Sequence, residues 1–197
     1  QPCAWGPRIE ELIVEAVREY PDHADARRLL GYRKQGDGWR TELSMRMKES
    51  GKRWHEQFGW LDVGDIERYE RGERRFGSRW ISAEEDHVRR SDIARGWQLR
   101  TEHFEVQTNR SLEEAVRLSD RLERLYQVWR QIFIAYAVEP RELDRLPNGE
   151  ALSAGAPRPF RVVYYRTRGE YNLALAKQQP RIEMTLGIYF DNSRRTH

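Results

Sequence analysis

The sequence predicts an α+β fold in which short strands and hairpins alternate with amphipathic helices. Three observations lead to this prediction: a strand pattern at 103–108, a capped helix of about seven turns that follows it, and Gly-rich turns between short segments upstream. In the strand pattern, Phe104, Val106 and Thr108 alternate with polar residues, as on a half-buried strand. The spacing of apolar residues then changes to three or four, which is typical of a helix.

The composition indicates a folded but very polar protein. Of 197 residues, 34% are charged and 38% hydrophobic, while seven Trp and nine Tyr supply enough aromatic surface for a core. The 35 Lys and Arg are nearly balanced by 32 Asp and Glu, so no nucleic-acid partner is expected, because phosphate binding requires clustered cations. A single cysteine, Cys3, excludes an internal disulfide, and no apolar run reaches the roughly 18 residues of a membrane span.

The N-terminal part, residues 1–95, is predicted to combine a helical hairpin with Trp-rich hairpin and helix units. Apolar residues at helical spacing run from Pro7 to Tyr20. A shorter helix then runs to Leu30, with Asp22 as its N-cap and Gly31 as its stop. This helical hairpin is similar to a tetratricopeptide-type repeat, but a single copy cannot bury its faces, so we interpret it as a packing element.

Two hairpin-and-helix units are predicted after the helical hairpin. Tyr32–Trp39 contains a Gly-Asp-Gly turn, and Tyr69–Trp80 repeats the order Tyr, Gly, Trp. Ser82 and Glu85 form a capping box that opens the helix of the second unit. The core of both units is predicted to come from Trp39, Trp54, Phe58, Trp60, Phe76, Trp80 and Trp97. The alternative is an aromatic and Arg surface that stacks on bases or sugars.

The C-terminal part, residues 96–197, is predicted to follow the order strand, long helix, strand, short helix and edge strand. Ser111 and Glu114 form the capping box that begins the long helix. Trp129 lies in the middle of its apolar stripe, so we expect this side chain to be buried. The elements beyond are a loop at 146–160, a strand at 160–165, a helix at 168–177, a strand at 186–190, a turn, and a returning strand near Arg195.

No catalytic, cofactor-binding or metal-binding residue is predicted in these 197 residues. His55-Glu56 begins like the metallopeptidase motif HExxH, but Gly59 stands where the second histidine must be. No two of the five histidines lie three or four residues apart, so no local zinc pair exists on a helix. Carboxylate pairs such as Glu113-Glu114 are interpreted as charges that favour a helix N-terminus.

Three segments of the C-terminal part carry a resemblance to a known family: TEHFEVQTN from Thr101, SLEEAVRLSDRLERLYQVWRQIF from Ser111 and LGIYFDNSRRTH from Leu186. Together they resemble a bacterial family of uncharacterised, gluzincin-like zinc metallopeptidases that is classed as a domain of unknown function. The resemblance covers about residues 97–197, with looser similarity in GSRWISAEED and LGYRKQGDGW. It implies the N-terminal, non-catalytic portion of a secreted or cell-envelope protein, whose HExxH helix and zinc belong to a longer parent.

The resemblance also implies a role for the edge strand, because the corresponding strand of gluzincin-type folds borders the substrate cleft and pairs with extended peptide. Gly187, Ile188, Tyr189 and Phe190 match that strand and are the candidate substrate-edge residues. The alternative for these four residues is an ordinary sheet edge. The alternative for the whole chain is a non-enzymatic module that binds a protein or a polysaccharide.

Overall fold

The computed structural model describes residues 12, 15–16, 18–29, 32–137, 158–190 and 195–197. Helices and short sheets both occur in it, so the predicted α+β class is confirmed. None of the described helices combines the length and the apolar character needed to cross a lipid bilayer.

The chain divides into two compact units. The first comprises Gln1–Arg46 and Arg124–Pro157, and the second comprises Met47–Glu123 and Arg158–His197. The boundary predicted at residue 96 stays a prediction.

The beginning of the first unit is described in part. The described positions of the first predicted helix, 12, 15–16 and 18–19, are helical. The next helix, α1 (Ala24–Leu29), begins after His23, whose ring Nδ1 accepts a hydrogen bond from the Ala26 amide at 3.3 Å. The prediction that Asp22 caps this helix is wrong, because the Asp22 carboxylate instead accepts a 2.9 Å hydrogen bond from the Trp39 indole.

Three hairpin-and-helix repeats follow, where the sequence predicted two. They comprise β1 (Tyr32–Gln35), β2 (Gly38–Thr41) and α2 (Glu42–Glu49); β3 (Lys52–His55), β4 (Gly59–Asp62) and α3 (Ile66–Glu70); and β5 (Glu73–Phe76), β6 (Arg79–Ser82) and α4 (Ala83–Arg89). Each hairpin is antiparallel, and Trp39, Trp60 and Trp80 take the same place in the second strand of each. The sequence did not predict the middle repeat because its three-residue turn, 56–58, contains no glycine, whereas the turns of the other two repeats contain Gly36 and Gly77.

Two buried charged residues tie the second and third repeats to the C-terminal elements of the same unit. The Arg74 guanidinium stacks on Phe58 and donates a 2.8 Å hydrogen bond to the Glu113 carboxylate. Asp86 accepts hydrogen bonds from Arg90 Nε at 2.7 Å and from the Trp97 indole at 2.9 Å. The buried Arg74 guanidinium therefore packs on a predicted core ring inside the fold, which favours the interpretation of Phe58 as core.

The C-terminal elements of the second unit form one mixed sheet. Its strands are β7 (Trp97–Arg100), β8 (Phe104–Thr108), β9 (Phe160–Tyr164), β10 (Tyr189–Phe190) and β11 (Arg195–Thr196), in the order β10-β11-β9-β8-β7. β8, β9 and β11 are parallel to one another, whereas β7 and β10 run antiparallel to their neighbours. The helices α5 (Leu112–Ala137) and α6 (Arg168–Leu175) follow β8 and β9, as the sequence predicted. The predicted loop at 146–160 lies almost entirely outside the described residues.

One face of the sheet packs on the first half of α5. Val106 and Thr108 are fully buried, and Leu99 forms a cluster with Ala115 and Val116 of α5. The alternation predicted for β8 is therefore confirmed. Thr108 also donates a 2.7 Å hydrogen bond to the Tyr164 carbonyl, which joins the carboxyl ends of β8 and β9.

In both predicted capping boxes, the role of the serine is confirmed and the role of the glutamate is not. The hydroxyls of Ser82 and Ser111 accept hydrogen bonds from the amides of Glu85 and Glu114, at 3.1 Å and 3.0 Å. The two glutamate carboxylates bind Arg side chains further along their own helices instead of reaching back to the cap. The hydroxyl is thus the part of the motif that marks these helix starts.

The second half of α5 contradicts the prediction of a continuous buried stripe. Trp129 is 47% exposed and Leu125 is 63% exposed, although both lie on the predicted apolar face. The helical period gives the direction of an apolar face, but not the length over which other elements cover it. The prediction that Trp129 is a core residue is therefore wrong.

Candidate functional site

The four predicted edge residues lie at one end of the five-stranded sheet. Tyr189 and Phe190 form β10, the terminal strand in the order of described strands, and Gly187 and Ile188 immediately precede it. β10 pairs through Tyr189 with Thr196 and through Phe190 with Arg195. The returning strand predicted near Arg195 is present, and it lies between β10 and the rest of the sheet.

The hydrogen-bond register defines which backbone groups face the open side of β10. Ile188 and His197 exchange two backbone hydrogen bonds, at 3.1 Å and 2.9 Å. In an antiparallel pair, hydrogen-bonded residues alternate with residues whose amide and carbonyl point to the other side. The backbone groups of Gly187 and Tyr189 therefore point away from β11, toward the outer edge of the sheet.

Side chains beneath β10 hold this edge in place. Ile188 and Phe190 pack on the cluster of Tyr171, Leu175 and Ile182. Tyr165 also joins this cluster, and its hydroxyl lies 3.0 Å from the His197 ring. The edge strand is thus anchored through alternate side chains to α6 and to the turn that follows it.

The segment leading into β10 exposes several large apolar side chains. Leu186 is 97% exposed, Met184 is 76% exposed, and Tyr189 within the strand is 48% exposed. Apolar side chains beside outward-facing backbone groups are the combination through which sheet edges bind extended segments.

A buried asparagine, which the sequence prediction did not identify, connects the carboxyl ends of β8 and β9. Asn109 is only 1% exposed, donates hydrogen bonds to the Ser91 carbonyl and the Glu170 carboxylate, and accepts one from the Arg166 amide. The hydrogen bond from Asn109, together with Arg166, lowers the pKa of Glu170. Ligands of α/β sheets often bind at this edge, but here the protein's own carboxylate occupies the position beside Asn109.

A histidine–carboxylate pair closes the turn between β7 and β8. Glu123 of α5 accepts hydrogen bonds from the His103 amide at 2.8 Å and pairs with the His103 ring at 2.7 Å. Burial raises the pKa of Glu123, but the hydrogen bonds from His103 and Thr101 outweigh it, so that the pKa is lowered. This pair holds the turn between β7 and β8 in place. His103 and Glu123 are 20 residues apart in the sequence, so no local pattern predicted their contact.

The structure also places the incomplete HExxH motif. His55 ends strand β3 rather than lying on a helix, and its ring stacks on Phe58 with centroids 4.7 Å apart. Within the described ranges, no cluster of three or more His, Cys, Asp or Glu side chains could hold a metal ion.

Comparisons with protein-family models, curated proteins and solved structures find no match to this chain.

Proposed function

We propose that this chain is the non-catalytic N-terminal portion of a zinc-peptidase-like protein, and that the outer edge of β10 receives an extended peptide. The observation that carries the proposal is the terminal position of β10 among the described strands, with the backbone groups of Gly187 and Tyr189 directed away from β11. The order of strand, long helix, strand, short helix and edge hairpin also supports it. An HExxH helix and its zinc would come from a longer parent protein.

The proposed peptide adds one strand to the sheet. Its backbone exchanges hydrogen bonds with Gly187 and Tyr189, because these two residues have their amide and carbonyl groups on the open side. Its side chains alternate between the two faces of the sheet, and those beside Tyr189 and Leu186 meet exposed apolar surface. We therefore expect the edge to prefer peptides with alternating apolar residues.

Binding to a synthetic array of heptapeptides tests whether the outer edge of β10 receives peptide. Tyr189→Pro is the test variant, and Tyr189→Phe is its matched control. Proline removes the outward amide of residue 189, and edge strands tolerate proline at such positions, so the fold is expected to persist. We expect the wild type and Tyr189→Phe to bind the same apolar peptides, and Tyr189→Pro to lose them. Absence of binding by the wild type, or equal binding by Tyr189→Pro, would contradict the proposal.

The peptidase half of the proposal has a separate test. We expect the coding sequence to continue past His197 into a helix that carries HExxH. A stop codon directly after His197 would reject a peptidase parent, while the array still decides whether β10 binds peptide.

A further inference from the structure

The face of the sheet opposite α5 carries two neighbouring cross-strand rows in which most side chains are polar. The pairing of Arg100 with Glu105, and of Glu105 with Arg161, places these three residues in one row across β7, β8 and β9. The pairing of Gln98 with Gln107, and of Gln107 with Val163, makes a second row beside it. A groove of about 220 Å³ follows the two rows and is lined by Gln98, Glu105, Gln107, Arg161, Val162 and Val163.

The groove retains hydrogen-bonding capacity that the fold does not use. Gln98 and Arg100 are exposed, and the described part of the chain offers their side chains no hydrogen bond or ion pair. Arg161 is 62% exposed, and its Nε lies 3.5 Å from the Glu105 carboxylate. Its guanidinium makes no hydrogen bond to the described residues.

The charges in the first row determine which ligand charge is complementary. Arg100 and Arg161 flank a single carboxylate, that of Glu105, so the row carries a net positive charge. Guanidinium groups bind carboxylates through two parallel hydrogen bonds, and the complementary ligand is thus anionic. Gln98 adds an amide donor and an acceptor suited to hydroxyl groups, whereas the Gln107 amide already donates a 2.8 Å hydrogen bond to the Ile93 carbonyl.

We infer that this groove is a binding site for an acidic saccharide. Its carboxylates pair with Arg161 in the groove and with Arg100, which stands in the same row beyond the groove lining. Its hydroxyls bind the Gln98 amide and the Glu105 carboxylate. A peptide with apolar side chains fits less well, because four of the six lining residues are polar or charged. The site lies on the face of the sheet rather than at the β10 edge, so it does not depend on the proposed function.

Calorimetric titration with trigalacturonic acid tests the inference, with the neutral trisaccharide maltotriose as the ligand control. The variants are Arg100→Gln and Arg161→Gln, and the control is Arg79→Gln, an exposed arginine of β6 outside the groove. We expect each groove variant to weaken binding by about tenfold, because each loses a charge-assisted hydrogen bond. Arg79→Gln is expected to bind as the wild type does.

Three results would overturn the inference. The wild type would show no saturable binding of trigalacturonic acid, or Arg79→Gln would weaken binding as much as the groove variants, which indicates general charge attraction. Equal binding of maltotriose would show that the acidic groups are not recognised.

Discussion

Gly59 shows how one residue can be fixed both by its backbone and by its neighbours. It ends the three-residue turn of the second repeat with φ of +76°, a region that side chains other than glycine rarely adopt. A Cβ atom at this position would also lie 2.5 Å from Leu99 Cδ1 of the sheet core. The second repeat and the sheet thus approach each other so closely that a Cβ at residue 59 would force the Leu99 side chain to move.

We expect Gly59→Ala to lower the free energy of unfolding by about 2 to 4 kcal/mol, from backbone strain and from overpacking together. Gly72→Ala is the matched control, because Gly72 has φ of +86° and nothing within 4 Å of its would-be Cβ. Gly72→Ala should lower the free energy of unfolding by about 1 kcal/mol, from backbone strain alone. Urea unfolding of both variants measures the difference, and equal losses would argue against the close approach.

Glu123 links stability to pH. Its pKa is lowered in the folded chain, so its contribution to stability is present above its ordinary pKa of 4.5 and is lost as the pH falls through the folded value. Glu123→Gln should therefore be less stable than the wild type at pH 7, with a difference that shrinks in acid. Urea unfolding from pH 7 to pH 3 measures this difference. A difference that stays constant with pH would show that the carboxylate charge does not stabilise the turn.

Among the elements, those with a strong local signal could be predicted from the sequence. The alternation in β8 and the Ser111 cap identified the strand and the start of α5 to within one residue. The middle hairpin was missed because its turn ends on a left-handed Gly59 after three residues and carries no two-residue turn signal. Regular spacing of Trp39, Trp60 and Trp80 was the signal that could have revealed it.

The exposure of side chains along α5 depends on which elements pack against the helix. The periodic spacing of apolar residues does not predict those neighbours. Trp129 is nearly half exposed, whereas Phe58 of the second repeat is 6% exposed and stacks on Arg74. We expect Trp129→Ala to cost about 1 kcal/mol or less and Phe58→Ala about 3 to 5 kcal/mol, the range of buried aromatic truncations. Denaturant melts compare the two, and a larger loss for Trp129→Ala would restore the core interpretation of that residue.

At the scale of the whole molecule, the candidate sites differ in how far the sequence could predict them. The edge strand was predicted through its family resemblance and lies at the end of the described sheet order. The polar groove was not predicted, because Gln98, Glu105 and Arg161 become neighbours only when three strands pair in register. Asn109 was missed for the same reason, since its partners lie up to 61 residues away.

The outward register of β10 is the central claim, and residue-resolved amide hydrogen exchange tests it most directly. In the free protein, the Ile188 amide should be protected by its bond to the His197 carbonyl, whereas the Tyr189 amide should exchange quickly. With a peptide selected on the array, the Tyr189 amide should become protected while Ile188 stays as it was. A Tyr189 amide that exchanges equally with and without that peptide would contradict the account.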